Sequence, residues 1–160
     1  MYCAMAESKP AGGGGAAAYR HQPVLCAEAV ALLAPAPGRT LVDATLGGGG
    51  HAERLLAAGA RVIGFDRDAD AIAHAGARLG GRFGERFEAV HADFRELGGE
   101  LARRAPGRVD GVLFDLGVSS WQLDSAARGF SFQSDGELDM RMDQSGAGAT
   151  AAELVNTLPA

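Results

Sequence analysis

Cysteine is scarce in this 160-residue chain, with only Cys3 and Cys26. Two cannot build a disulfide framework. Cys3 falls in an Ala/Gly-rich tail and Cys26 on a predicted helix, so both read as free thiols of a cytoplasmic protein. Long apolar runs are missing too, and none approaches the ~20 residues needed to cross a bilayer. The N-terminus has no basic segment leading into an apolar one, so neither a secretory signal nor a membrane partner is expected. Positive charge is short: 15 Lys and Arg face 20 Asp and Glu, a net charge of −5. That argues against gripping nucleic acid by bulk electrostatics, while leaving room for a local basic surface. Metal-ligand spacing is absent as well. His21, His51, His74 and His91 show no pairing at helical spacing. Asp66-Arg-Asp-Ala-Asp70 begins like a calcium loop, but Ala71 stands at the turn glycine and Ala77 at the bidentate acid. No metal is expected.

What is present suits an ordinary soluble domain: 47% apolar and 22% charged residues, with an excess of glycine (24). Residues 1–18 are Ala/Gly-rich and are expected to be a disordered tail. Order is predicted from Tyr19. A helix should run from Pro23 to Leu33 with Leu25, Ala29, Leu32 and Leu33 inward, stopped by Pro35 and Pro37. Four short apolar strands follow, at Thr40–Thr45, Arg61–Asp66, Phe87–Ala92 and Val109–Asp115. They alternate with helices at Gly50–Ala58, Ala69–Leu79 (capped by Asp68 and ended by Gly80-Gly81) and Glu96–Arg104. That alternation implies a doubly wound α/β sheet of parallel strands, apolar on both faces. Residues 116–148 show no periodicity and are too long for a plain connection. Thr150-Ala-Ala-Glu153 has the capping-box spacing and should open a helix that Pro159 ends.

Chemistry should gather at the strand C-termini. The first strand ends in Asp43-Ala-Thr-Leu and four glycines before a helix, the layout by which a ligand meets bare backbone. The second ends in Asp66, where a carboxylate can accept two hydrogen bonds from a ribose diol. The third ends near Asp93-Phe94, an acid for an adenine amine beside a ring for its face. The fourth ends in Asp115. An acidic rim would repel a pyrophosphate, which disfavours a nicotinamide dinucleotide. It suits S-adenosylmethionine, whose sulfonium and ammonium are positive. Asp115 and the turn after it could hold an exocyclic amine in line with a methyl donor. Neither cysteine lies at a strand end, which disfavours carbon methylation through an activated thiol. Trp121, Phe130 and Phe132 could stack on a flipped base or simply anchor a loop.

Six blocks carry a family likeness: His21-Gln-Pro-Val-Leu25, Asp43-Ala-Thr-Leu-Gly-Gly-Gly-Gly-His51, Phe65-Asp-Arg-Asp68, Asp115-Leu-Gly-Val-Ser-Ser-Trp-Gln-Leu-Asp124, Arg128-Gly-Phe-Ser-Phe132 and Leu138-Asp-Met-Arg-Met-Asp143. In order and spacing the chain resembles the bacterial 16S ribosomal RNA cytosine-N4 methyltransferases. The resemblance implies a Rossmann-like, S-adenosylmethionine-dependent enzyme acting on a decoding-centre cytosine of the small ribosomal subunit. It implies donor contacts from Gly49, Gly50, His51, Asp66, Phe94, Asp115 and Gln122, and Asp115 is the expected catalytic residue at the target amine. It also divides the chain into residues 19–120, part of the methyltransferase core, and 121–160, the start of an inserted helical substrate-recognition region. Family members are about twice as long, so the sheet is expected to be incomplete. The alternative is a catalytically incomplete fragment that only folds around the donor.

Overall fold

The computed structural model describes residues 23–159. The expectations for residues 1–18, and the His21-Gln22 part of the first block, lie outside the described residues. Within them, four apolar runs pair into one parallel sheet: β1 (Thr40–Asp43), β2 (Arg61–Asp66), β3 (Phe87–His91) and β4 (Gly111–Leu113). Their order is β3-β2-β1-β4. In register, Leu41 lies beside Val62 and Val42 beside Ile63, so alternate side chains enter opposite faces. On one face Leu41 and Val62 join Leu55, Leu56, Ala75 and Leu79. Those come from α2 (Gly50–Ala57) and α3 (Ala69–Phe83), with Val30 and Leu33 of α1 (Cys26–Leu33) packed alongside. On the other face Val42, Ile63, Phe65 and Val90 meet Leu97 and Leu101 of α4 (Leu97–Arg104). Helices on both faces of a parallel sheet give the doubly wound, Rossmann-like α/β fold that the alternation predicts. Cover is uneven at the β4 edge, where Val112 and Phe114 are exposed.

Several boundaries differ from the sequence reading. α3 passes through Gly80-Gly81 to Phe83 and is capped by Gly84 at φ 57°. The two glycines cost helix propensity, but Leu79 is fully buried and Phe83 packs on the core, so tertiary contact carries the helix one turn further. α1 starts at Cys26, not in the turn after Pro23, because Leu25 adopts the left-handed conformation at φ 49°. Its inward residues are Val30 and Leu33, whereas Leu25 and Leu32 are exposed. β1 and β4 are shorter than predicted: the chain turns after Asp43 and after Leu113. α4 begins one residue late, behind a 3-10 turn at Phe94–Glu96 that Asp93 caps by accepting the Arg95 amide.

Beyond β4 the chain is held by side chains more than by regular structure. A short α5 (Ser120–Asp124) is closed by a capping box between Ser119 and Gln122. A 3-10 turn follows at Ala126–Arg128. The predicted Thr150–Glu153 capping box opens α6 (Ala151–Thr157). Between them Arg141 grips Asp139 through two bonds of 2.8 Å and reaches the Gly146 and Gly148 carbonyls.

Candidate active site at the sheet switch point

β2 and β3 extend the sheet to one side of β1, and β4 lies on the other. The crevice where strand order reverses is the usual ligand position of open α/β sheets, and here it opens between the C-termini of β1 and β4. Two bonds tie the two ends together: the Ala44 amide donates to the Leu113 carbonyl at 2.9 Å, and the Asp115 amide donates to Thr45 Oγ1 at 2.7 Å. Thr45 was not singled out from sequence. Only its place two residues beyond a strand acid marks it.

The rim acids sit in three different environments. Asp66 accepts the Gly47 amide on Oδ2 at 2.7 Å and the Asp68 amide on Oδ1 at 2.9 Å. A carboxylate has about four acceptor sites, more than these amides and the nearby Arg67 amide fill, so the group is oriented by backbone yet still able to accept from a diol. Burial pushes its pKa above the ordinary 3.8, opposed by those amides. Asp43 is 1% exposed; Oδ1 takes the Thr45 amide at 3.3 Å and Oδ2 has no partner. Burial raises this carboxyl from 3.8 to about 7, the nearby Thr45 and Ala52 amides pull it down, and the charges of Asp66 and Asp115 add to the rise. Asp115 is the open one, with its side chain partly exposed.

The glycine loop divides similarly. At Gly49, φ is 78° and a Cβ would fall 2.8 Å from Leu79 Cδ1. At Gly50 a Cβ would fall 2.4 Å from Pro23 Cγ. Both side-chain positions are therefore occupied by the protein's own packing. Gly47 has nothing within 4 Å on its Cβ side, a point of the loop with open space. His51 is buried. Its Nε2 donates to the Val24 carbonyl at 3.1 Å, leaving Nδ1 turned to Asp115 Oδ2 at 3.8 Å.

Farther along the rim, Asp93 is occupied: both its oxygens receive the Arg95 guanidinium at 3.0 Å. Phe94 is half-exposed and meets Phe114 edge to face, with centroids 5.9 Å apart. This brings the ends of β3 and β4 together across the second face of the sheet. Gln122 is buried rather than open to solvent, and its Nε2 donates to Asp68 Oδ2 at 2.9 Å. The same oxygen takes Arg128 Nη2 at 2.7 Å. The Asp68–Arg128 pair escaped the sequence reading except as a helix cap and part of a motif block. Among the described residues, no group of three or more His, Cys, Asp or Glu is arranged to hold a metal ion.

The model of the MraW methylase family matches residues 18–160. The chain belongs to the MraW methylase family. As a member it is 55% identical over 145 residues to ribosomal RNA small subunit methyltransferase H of Frankia alni, covering 88% of this chain and 44% of that protein. It is 58% identical over 139 residues to the methyltransferase of the same name from Myxococcus xanthus, covering 87% and 44%. The chain thus spans somewhat under half the length of these curated relatives. Among solved structures, an rRNA methylase from Streptococcus thermophilus aligns with a TM-score of 0.49 at 23% identity, over 56% of this chain and 53% of that one. No helix among the described residues is long and apolar enough to cross a membrane.

Proposed function

We propose that this chain is the donor-binding part of an S-adenosylmethionine-dependent methyltransferase. The whole protein would transfer a methyl group to the N4 amine of a decoding-centre cytosine in 16S ribosomal RNA of the small subunit. The observation that carries the reading is the acid-lined switch point: Asp43, Asp66 and Asp115 converge there, with Asp43 Oδ2 buried and unpartnered. Such a crevice favours a cation over a pyrophosphate. Membership of a methylase family, and the name borne by its relatives, support the same chemistry.

S-adenosylmethionine supplies an electrophilic methyl on a positively charged sulfur. In the crevice Asp66, oriented by the Gly47 and Asp68 amides, accepts from the ribose hydroxyls. Phe94 flanks the adenine side, its ring steadied by Phe114. Gly49, Gly50 and His51 present the first turn of α2, which has no side-chain cap. Gln122 stands behind Asp66 through Asp68, and so acts at the donor's edge. Asp115 is the catalytic residue. Its carboxylate accepts an N–H of the target amine and stabilises the positive charge that develops on nitrogen. Residues 19–120 form this core, and 121–160 begin the region that recognises the RNA.

Asp66→Ala tests the assignment most directly. Calorimetric titration with S-adenosylmethionine should give binding by the wild-type chain and a loss of at least about tenfold in the variant, roughly one charge-assisted hydrogen bond. Equal affinities would sink the ribose role. Methyl transfer to undermethylated small subunits then distinguishes a complete catalyst from a donor-binding portion.

A further inference from the structure

Arg128 is 3% exposed, and its side chain is spent inside the protein. Nη2 lies 2.7 Å from Asp68 Oδ2, 2.6 Å from the Met142 carbonyl and 3.3 Å from the Arg141 carbonyl. Nη1 is 3.4 Å from Asp70 Oδ2, and Nε has no partner. A buried ion pair left partly unsatisfied is a poor source of stability, because desolvation offsets its attraction. Its better-attested use is to specify one arrangement.

The arrangement specified here reaches the candidate site. Asp68 sits at the junction. Its amide orients Asp66 at 2.9 Å, its Oδ1 caps α3 through the Asp70 amide at 3.0 Å, and its Oδ2 takes both Gln122 and Arg128. A continuous hydrogen-bonded path therefore runs from the Gly47 amide through Asp66, Asp68 and Arg128 to the carbonyls of residues 141 and 142. The same segment meets the end of β2 at one further place, where His91 Nε2 stands 3.0 Å from the Arg67 carbonyl and 3.7 Å from Asp143 Oδ2.

We propose that Arg128 is a positioning residue. By clamping the 139–143 segment onto Asp68 it fixes Gln122 and the Asp66 loop, so that donor binding and the seating of the post-β4 segment depend on one another. This deepens the donor-site reading and rests on it. The cation acts from behind, through Asp68, and touches no ligand itself.

The chain's single tryptophan, Trp121, adjoins Gln122 on α5 and reports the seating. Arg128→Gln should shift Trp121 emission to the red and weaken S-adenosylmethionine binding roughly tenfold, within the usual range of site-to-site coupling. Arg128→Lys retains the bond to Asp68 and should recover most of both signals. Phe87→Ala, at the opposite end of the sheet, should lower the melting temperature while leaving affinity and emission unchanged in the folded chain. A folded Arg128→Gln with wild-type emission and affinity overturns the proposal, as does a Lys variant as impaired as the Gln one. Should Arg128→Gln not fold, Asp68→Asn carries the same test: unchanged affinity refutes the clamp. If the wild-type chain binds no donor, the donor reading falls, and the proposed dependence with it; the emission arm then decides the seating alone.

Discussion

Asp43 should make this chain progressively less stable as pH rises from about 4 to about 7. Its carboxyl is held at about 7 in the fold against 3.8 ordinarily, first by burial and then by the charges of Asp66 and Asp115. Between those two pH values the native state keeps a proton that the unfolded chain has released. The unfolded state then binds fewer protons, so stability falls by ~1.36 kcal/mol for each pH unit. The window spans about three units, and the full loss approaches 4 kcal/mol, complete above the folded value. Below 3.8 both states are protonated and the penalty vanishes. Asp43→Asn removes the titration but keeps the shape and an acceptor for the Thr45 amide. Its new NH2 replaces the unpartnered Oδ2, a buried donor costing about 1–3 kcal/mol at every pH. The variant should therefore be less stable than wild type by about 1–3 kcal/mol near pH 4, and more stable by about 1–3 kcal/mol at pH 8. Urea unfolding at half-unit steps from pH 4 to 8 measures both curves, and their difference cancels the titrating groups that do not interact with Asp43. A difference that stays flat with pH would refute the account. Asp115→Asn should narrow the window, since it removes one of the two charges that raise Asp43.

The remaining predictions bear on the loop and on the surface beside it. Gly49→Ala should destabilise the chain by about 1–3 kcal/mol in thermal or urea unfolding, because Leu79 stands 2.8 Å from the new Cβ and φ is 78°. A neutral result would mean that α2 and α3 can separate without cost. Glu53 pairs with both Arg78 and Arg82, and these bonds hold its carboxyl below 4.5. Its contribution is complete above the unfolded value and fades as pH falls through the lower, folded one. Glu53→Gln should cost no more than about 1 kcal/mol, with high salt shrinking the difference. A larger, salt-insensitive loss would show that the network is not a surface one.

The sheet was legible because its signals are local. Leu41-Val42, Val62-Ile63 and Phe65 are apolar runs with an acid at or near the end, and a strand buried on both faces needs nothing else. Helix ends were legible only where a side chain bonds its own turn: Asp68 and Thr150 marked starts correctly. The stop at Gly80-Gly81 failed because Leu79 and Phe83 are held by partners far away in sequence. α5 carried a usable signal, since Ser119-Ser-Trp-Gln122 has the same capping-box spacing as Thr150–Glu153. The segment around Arg128 carried no such signal. Its order comes from one guanidinium bonding to residues 60 positions earlier and 13–14 positions later, and no periodicity encodes that.

Four acids at four strand ends look interchangeable in the sequence, yet the fold gives each a different environment, and environment decides what a carboxylate can do. Asp93 is neutralised by Arg95 and caps a turn, so it has little left to offer a ligand. Asp66 is fixed by backbone amides and keeps acceptor capacity to spare, which suits holding neutral hydroxyls in place. Asp43 is deep and lacks enough partners, so a cation nearby would favour its ionised form. Its charge acts through space and can touch nothing. Only Asp115 is both partly exposed and tied by its backbone to the β1 turn, through Thr45. A group that must meet an amine arriving from solvent needs that combination. Those contacts are the ground on which Asp115, rather than the other three, is proposed as the catalyst.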